Sequence, residues 1–498
     1  MRLGIDFGTT HTVVTLVDRG NYPIVSFDGG DFVPSLVALK ERTGERRYGW
    51  SAFAVRYEPD WTVVRSLKRA LDTAGLQTDI AIGSWRLSLL DLLSGFFSAL
   101  HRELVERSNA GLAADESLHA AVSVPANATT AQRFLTLDAF KAGGFVVEAL
   151  LNEPSAAGFE YAHRYRRADP KREYLVVYDL GGGTFDASLL RMTGRTNEVV
   201  ATNGVRRLGG DDFDEAMLAL VLDRAGVGAL DVAARAVLLE ECARQKESLS
   251  PNTRRVLVDL AAIGRGPLVL SAEEIYVACA PLVQRSMEAV EPLLADSGGE
   301  SAIAWTEIAG LYVVGGGALF PLVTRVLKER FGEKRVRRSP YPFAATAMGL
   351  AIFLDREAGW ALEDTLSRHF GVFRESEDGT NVAFDAIFPK GTALPAPGAA
   401  PTSVARRYRA VHNVGHFRFL ECTRLTGGRP DGDVTPWDEV LFPFERSLRG
   451  RSLSSADVRR RAKGPEVVET YALGSEGAVS ITFTDTSDGF TRSFTLRR

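Results

Sequence analysis

Two stretches of this chain, LGIDFGTTHTVVTL near its start and VVYDLGGGTFDASLL from residue 176, follow one plan. Each reads apolar strand, aspartate, apolar residue, glycine-rich turn, threonine, second strand. They lie roughly 170 residues apart, which points to two related lobes. Glycine between paired strands weakens them, so these turns need a local reason. Either turn alone serves as an ordinary structural hairpin; the pair makes a stronger case for loops where only backbone fits against a ligand. Successive N–H groups in such a turn form a concave anion site, and the missing Cβ lets phosphate oxygens come close. Gly8, Gly181, Gly182 and Gly183 would supply that backbone, with hydroxyls from Thr9, Thr10 and Thr184. Asp6 and Asp179 end the strands just before each turn and would repel phosphate unless a cation lay between. A hard divalent ion such as Mg²⁺, keeping most of its waters, meets that need.

A third element is LYVVGGGALFPLVTRVLKERFG, residues 311–332: a buried strand, the triplet Gly315, Gly316 and Gly317, then an amphipathic helix. Glycines here would let a base and ribose lie flat against backbone, although a tight strand–helix turn reads equally well in isolation. Other nucleotide and hydrolase signatures are absent, with no Walker loop, no strand–GxGxxG–helix, no HExxH and no GxSxG. His412 and His416 have the i,i+4 spacing of a helical metal pair, but the glycine in HNVGHF belongs to a strand context.

The surrounding pattern is α/β. Buried strands at YLVVYDL and LYVVGG alternate with helices expected over 129–144, 152–165 and 212–250. LSLLDLLSGFFSAL (87–100) reads as an amphipathic helix, because Asp91 and serines interrupt what would otherwise be an apolar span. At 498 residues the chain exceeds one compact core. Composition shifts near residue 358, after which short alternating runs replace helical periods. AVSITFTDT (478–486) alternates as a half-buried strand, with RSFTL (492–496) its expected partner across an Asp488–Gly489 turn. The expected domains are therefore 1–357, α/β, and 367–498, an all-β module, joined by a linker at 358–366.

A net charge of −4 gives no electrostatic case for nucleic acid or an anionic membrane. The short basic runs at 163–173, 335–340 and 458–464 read as solvated loops. Three widely spaced cysteines fit a reducing compartment, and the strand-like opening carries no secretory segment, so a cytoplasmic monomer is expected.

GIDFGTT, VYDLGGGTFD and VVGGGALFP resemble, in the right order, the two phosphate motifs and the adenosine motif of actin-like ATPases. AVSVPANATTAQR, LLNEPSAAGFEYA and RLGGDDFDEAM are similar more narrowly to segments of the heat shock protein 70, or DnaK-like, chaperones. That resemblance is specific over 1–20 and 120–215 and diffuse after 360. It implies a two-lobed actin-like domain of duplicated RNase H-like lobes, followed by a smaller β-sandwich. It also implies slow ATP hydrolysis, with ATP or ADP and Mg²⁺ as cofactors, and unfolded client polypeptide, co-chaperones and an exchange factor as partners.

Carried over residue by residue, Asp6, Gly8, Thr9 and Thr10 form the first phosphate loop, and Gly181, Gly182, Gly183, Thr184 and Asp186 the second. Lys68 in SLKRALD matches the lysine beside the γ-phosphate and attacking water; without that context an exposed helix lysine is the favoured reading, and with it the preference reverses. The resemblance puts Glu153 and Asp179 around Mg²⁺, Asp6 and Asp179 reaching it through water, and Asp179 orienting the nucleophile. Asp186 is the candidate for a monovalent cation such as K⁺. Lys246, Ser250 and Gly315–Gly317 belong to the adenosine side, while Pro125 and Arg133 match a relay to the second domain. Val372, Phe417 and Phe419 are the peptide-pocket candidates, with core packing the alternative.

The sequence departs from the family at three places. Ala243 stands where a ribose-binding glutamate belongs, Leu319 where an arginine stacks on adenine, and Phe343 where an acidic residue is usual. These departures imply weaker or less base-selective nucleotide binding. GWALEDTL lacks the usual leucine run of the linker, and the β-module is expected to be lidless. Two other functions fit the same ATPase fold: a nucleotide-gated scaffold with little turnover, and a small-molecule kinase. Lys68, NEPSAAG and the β-module argue against the kinase.

Overall fold

The structure is a computed structural model that describes residues 1–73, 78–165, 172–295, 303, 305–376, 381–437 and 440–494. It is mixed α/β, with several sheets. The first large sheet has the strand order Val146–Asn152, His119–Val124, Arg2–Phe7, His11–Leu16, Val33–Pro34. The second runs Val336–Arg338, Ile308–Val314, Tyr174–Leu180, Thr184–Thr193, Thr196–Arg206, Ala361–Glu363.

Both sheets are built on one plan. In each, an antiparallel hairpin sits at the centre, and the hairpin's first strand pairs in parallel with a later strand on its other side. Arg2–Phe7 pairs with His11–Leu16 and with His119–Val124; Tyr174–Leu180 pairs with Thr184–Thr193 and with Ile308–Val314. Strands such as YLVVYDL and IAGLYVV are buried along almost their whole length. That burial explains their unbroken apolar runs, because helices cover both faces of these parallel pairs.

Helices form where the sequence carries start signals. Ser88 caps Leu89–Glu106 by accepting the Asp91 N–H. Thr129 and Gln132 form a capping box at the start of Thr130–Ala142. Pro154 sits in the first turn of Glu153–Tyr165, where its missing N–H leaves no gap. The stretch expected to be helical over 212–250 holds two helices, Gly210–Ala225 and Val232–Glu247. Gly226 stops the first in the left-handed region at φ 60°.

Beyond Glu363 the described residues form strands, apart from loops and one 3₁₀ turn at Arg446–Leu448. One four-stranded sheet comprises Asn381–Phe388, His369–Ser376, Phe419–Thr426 and Arg429–Pro436; the other comprises Thr402–Arg409, Glu466–Leu473, Val479–Asp485 and Phe490–Phe494. The last two strands pair from Asp485 with Phe490, across the turn holding Asp488 and Gly489. Thr495 and Leu496, and most of the basic run at 163–173, lie outside the described residues. Phe370, Phe419, Phe442, Tyr471, Ile481 and Phe483 share the core between the sheets. Within the stretch read as a linker, Ala361–Glu363 forms a strand paired in parallel with Thr196–Glu198 on the edge of the second large sheet.

Candidate functional site

The two glycine hairpins meet tip to tip. A Cβ placed on Gly182 would lie 2.8 Å from the Thr10 side chain, and one on Gly183 would lie 2.6 Å from Thr9. Only glycine permits that approach. The tips are held from behind: Gly8 N–H donates to the Asp6 carbonyl at 3.1 Å, and Gly181 N–H to the Thr184 carbonyl at 3.0 Å. Asp179 and Asp186 are cross-strand partners at the neck of the second hairpin. The GGDDFD segment docks on the same loop, with the Gly210 and Asp211 N–H groups donating to the Gly181 and Gly182 carbonyls at 3.0 and 2.8 Å.

The third glycine motif packs on the second. Gly315 has φ 87°, its N–H donates to the Pro342 carbonyl at 2.7 Å, and a Cβ there would lie 2.3 Å from the Leu180 carbonyl oxygen. A Cβ on Gly317 would sit 2.6 Å from the Gly181 carbonyl, whereas Gly316 faces open space. Leu319 and Phe343 are both exposed beside this loop.

Behind the hairpins lies a buried charge cluster. Lys68, in the 3₁₀ turn Leu67–Thr73, is buried and ion-paired with buried Glu153, the first residue of its helix. Asp6 accepts the Ser123 hydroxyl at 2.6 Å, and Asp186 accepts the Ala126 N–H at 3.1 Å. Burial, then the charge of Glu153, raises the Asp6 pKa to about 6 and that of Asp186 to about 7. The same burial, with Glu153, Asp6 and Asp186 around it, drives Asp179 well above the usual carboxylate range. Burial disfavours the Lys68 ammonium, but Glu153, Asp6 and Asp186 outweigh it and raise its pKa.

Four carboxylates thus share one lysine, a field that calls for further positive charge. Among the described residues no three His, Cys, Asp or Glu side chains converge tightly enough to ligate an ion directly. A hydrated divalent cation, held through its waters, fits this donor set better than a stripped one. Beside the cluster is a small pocket lined by Thr9, Lys68, Arg69, Ser123, Pro125 and Thr184.

The other sequence candidates lie in three places. Lys246 reaches the same loops from its helix, pairing with Asp214 at 2.7 Å and donating to the Gly210 carbonyl at 2.9 Å. Ser250 is exposed past the helix end, its hydroxyl 3.0 Å from Thr253 Oγ1. Arg133 is buried against the β-module. It donates to Asn152 Oδ1 at 2.7 Å and to the Glu476 carbonyl at 3.0 Å, and Asn152 in turn donates to Asp364 at 2.8 Å. Val372, Phe417 and Phe419 lie inside the β-sandwich, the Phe417 and Phe419 rings stacked at 6.1 Å, so core packing accounts for their burial.

Sequence reasoning missed several partners. Arg69 reaches across to Asp212 at 2.9 Å and to the Gly183 carbonyl at 3.3 Å, and Ser66 to Asp211 at 2.9 Å. The β-module docks through Glu421, which takes the Thr130 N–H at a helix start at 3.1 Å, and through Asp433, which pairs with Arg206 at 2.9 Å and, inside the module, with Arg368 at 2.8 Å. The adjacent Lys68–Arg69 pair was the one local signal for the first group; the second left none.

The family described as Hsp70 protein matches residues 98–366. A protein described as Chaperone protein HscA homolog, from Cupriavidus necator, is 30% identical over 100% of this chain and 78% of its own length. The chain belongs to the heat shock protein 70 family. A homologue of the same description from Ralstonia pickettii is 31% identical over the same shares, and one from Pseudomonas putida is 32% identical over 72% of this chain and 58% of its own. The family match takes in Glu153, Asp179, Thr184 and Lys246 of this heat shock protein 70 member; the first hairpin and Lys68 precede it and fall within the full-length alignments. Among the described residues no helix is long and apolar enough to cross a membrane.

Proposed function

We propose that this heat shock protein 70-type chaperone binds ATP with Mg²⁺ between two actin-like lobes. It hydrolyses the nucleotide slowly and couples that cycle to a β-module that takes extended or unfolded polypeptide. The observation that carries the reading is the meeting of two glycine hairpins over a buried lysine and four carboxylates, of which Glu153, Asp179 and Asp186 are buried and Asp6 half-buried. Backbone N–H groups of both turns, with Thr9, Thr10 and Thr184, bind and orient the phosphates. Lys68, held by Glu153, faces the terminal phosphate, and Asp179 accepts a hydrogen bond from the attacking water and so aims it. Asp6 and Asp179 would hold Mg²⁺ through its waters and Asp186 a monovalent cation, and Mg²⁺ there would supply charge neutralisation at the phosphates. Phosphoryl transfer asks chiefly for such positioning and neutralisation.

Residues 1–357 form the ATPase, 358–366 the linker and 367–498 the client module. Pro125 and Arg133 report nucleotide state to that module, because Arg133 binds it directly. Co-chaperones and an exchange factor are the expected helpers of a cytoplasmic monomer. A nucleotide-gated scaffold is the second reading, favoured by the exposed apolar Leu319 and Phe343 beside the adenosine loop. The test is phosphate release by the purified chain, alone, with an unfolded client, and with a panel of sugars. Stimulation by client supports the chaperone; stimulation by a sugar refutes it in favour of a kinase, and binding without release favours the scaffold.

A further inference from the structure

One titratable side chain at the hairpins has no part in the scheme above. His11 follows Thr9 and Thr10 directly and opens the second strand of the first hairpin, paired with Pro34 on the next strand. Its Nδ1 lies 3.1 Å from Thr10 Oγ1, and Thr10 is the residue against which Gly182 of the other hairpin packs. Phe32 closes one side of the imidazole, edge to face at a centroid distance of 4.0 Å. Between the cleft walls the residue stays accessible to solvent.

The charged group that bears on His11 comes from the opposite wall. Lys246, on helix Val232–Glu247, is held over Gly210 by Asp214 and by the Gly210 carbonyl. Thr10 and Phe32, which touch the ring from its own side, carry no charge. His11 and Lys246 therefore flank the place where Thr10 meets Gly182, one from each hairpin's side. Two basic groups facing each other without an anion between them disfavour double protonation. Enclosure by the walls and then Lys246 lower the His11 pKa to about 4. A phosphate between them reverses that balance, since it attracts both.

We propose that His11 is a further phosphate contact of this cleft, an imidazolium that donates from the first hairpin to nucleotide phosphate facing Lys246. The proposal rests on the nucleotide reading of the site. The proton comes from solvent as phosphate enters and returns when it leaves, so nucleotide affinity is linked to pH through this one ring. Below about pH 4 the free ring is already protonated and binding is tightest; as pH rises from there, each unit weakens binding by up to about tenfold until pH passes the bound-state pKa.

The experiment is calorimetric titration of the full chain with ADP and Mg²⁺, which avoids turnover, at about pH 6 and pH 8 in buffers of different ionisation enthalpy. Asp6 and Asp186 also exchange protons with a cation, so His11 is read from the difference between the native chain and H11N. The native chain is expected to take up more protons on binding than H11N and to lose about tenfold more affinity between the two pH values. H11K, which carries a fixed charge, is expected to keep tight binding with the smaller proton uptake of H11N, and its binding shows that the hairpin still folds. Equal affinity and equal proton balance in the native chain and H11N would overturn the proposal while leaving the nucleotide site in place. Failure of every variant to bind ADP would refute the nucleotide reading itself, and the proposal with it.

Discussion

Replacing Asp186 by asparagine tests the electrostatics of the site without disturbing its shape. The amide keeps an oxygen that can accept the Ala126 N–H, which Asp186 now takes at 3.1 Å, but it cannot ionise. Asp186 is buried, and its folded pKa of about 7 stands above the ordinary 3.8. The sign follows from proton linkage. Between those two values the folded chain holds a proton that the unfolded chain has released. Stability is therefore present below the unfolded value and is lost as pH rises through the folded one. Three pKa units at about 1.4 kcal/mol each make the loss about 4 kcal/mol between pH 4 and 8. That is an upper scale, because Asp6 and Asp179 share the field of Glu153 with it. The asparagine variant escapes the loss, so its stability relative to the native chain should improve by about 3–4 kcal/mol across the same range. Urea unfolding of both chains in EDTA measures this, and Mg²⁺ should shrink the gain by relieving the crowded carboxylates. A constant offset between the two chains at every pH would refute the crowding of charge on which the site depends.

Other perturbations probe separate parts of the account. Lys68→Ala leaves Glu153 buried without its cation; it should abolish phosphate release and destabilise the chain by about 3–5 kcal/mol, read by single-turnover kinetics and urea melts. Gly315→Ala forces a Cβ to 2.3 Å from the Leu180 carbonyl at a positive φ, costing at least about 2 kcal/mol and weakening nucleotide binding; Gly316→Ala, whose Cβ meets nothing within 4 Å, should leave stability nearly unchanged. Glu421→Ala removes the acceptor at the start of helix Thr130–Ala142 and leaves Arg368 short of charge. The β-module should then loosen, seen as proteolytic cleavage near residues 357–368 at least about tenfold faster than in the native chain.

Local chemistry made the centre of the site legible and left its surroundings hidden. Asp6-Phe7-Gly8-Thr9-Thr10 and Asp179 through Thr184 announce themselves because a turn, a strand end and a donor set are all short-range features. The α/β alternation, the helix starts at Ser88 and Thr129, and the final hairpin across Asp488–Gly489 were readable for the same reason. Gly226, which ends the first helix of the Ala- and Leu-rich stretch, is a local stop signal of the same kind. The pairing of Ala361–Glu363 with Thr196–Glu198, the docking of Glu421 on Thr130, and the shared pairing of Asp433 with Arg206 and Arg368 join residues distant in sequence. Each side chain alone looks like an ordinary surface charge, so no periodicity marks it. The burial of Val372, Phe417 and Phe419 turned on which face of each strand meets the other sheet, and alternation alone does not say whether that face is core or groove.

The central claim is that both glycine hairpins grip one nucleotide's phosphates together. Hydrogen exchange of the backbone amides of residues 7–10 and 180–184, with and without ATP and Mg²⁺, tests it most directly. Both segments should gain protection in concert, and withholding Mg²⁺ or introducing Lys68→Ala should weaken the effect at both. Protection of one segment alone, or of neither while nucleotide is bound, would contradict it.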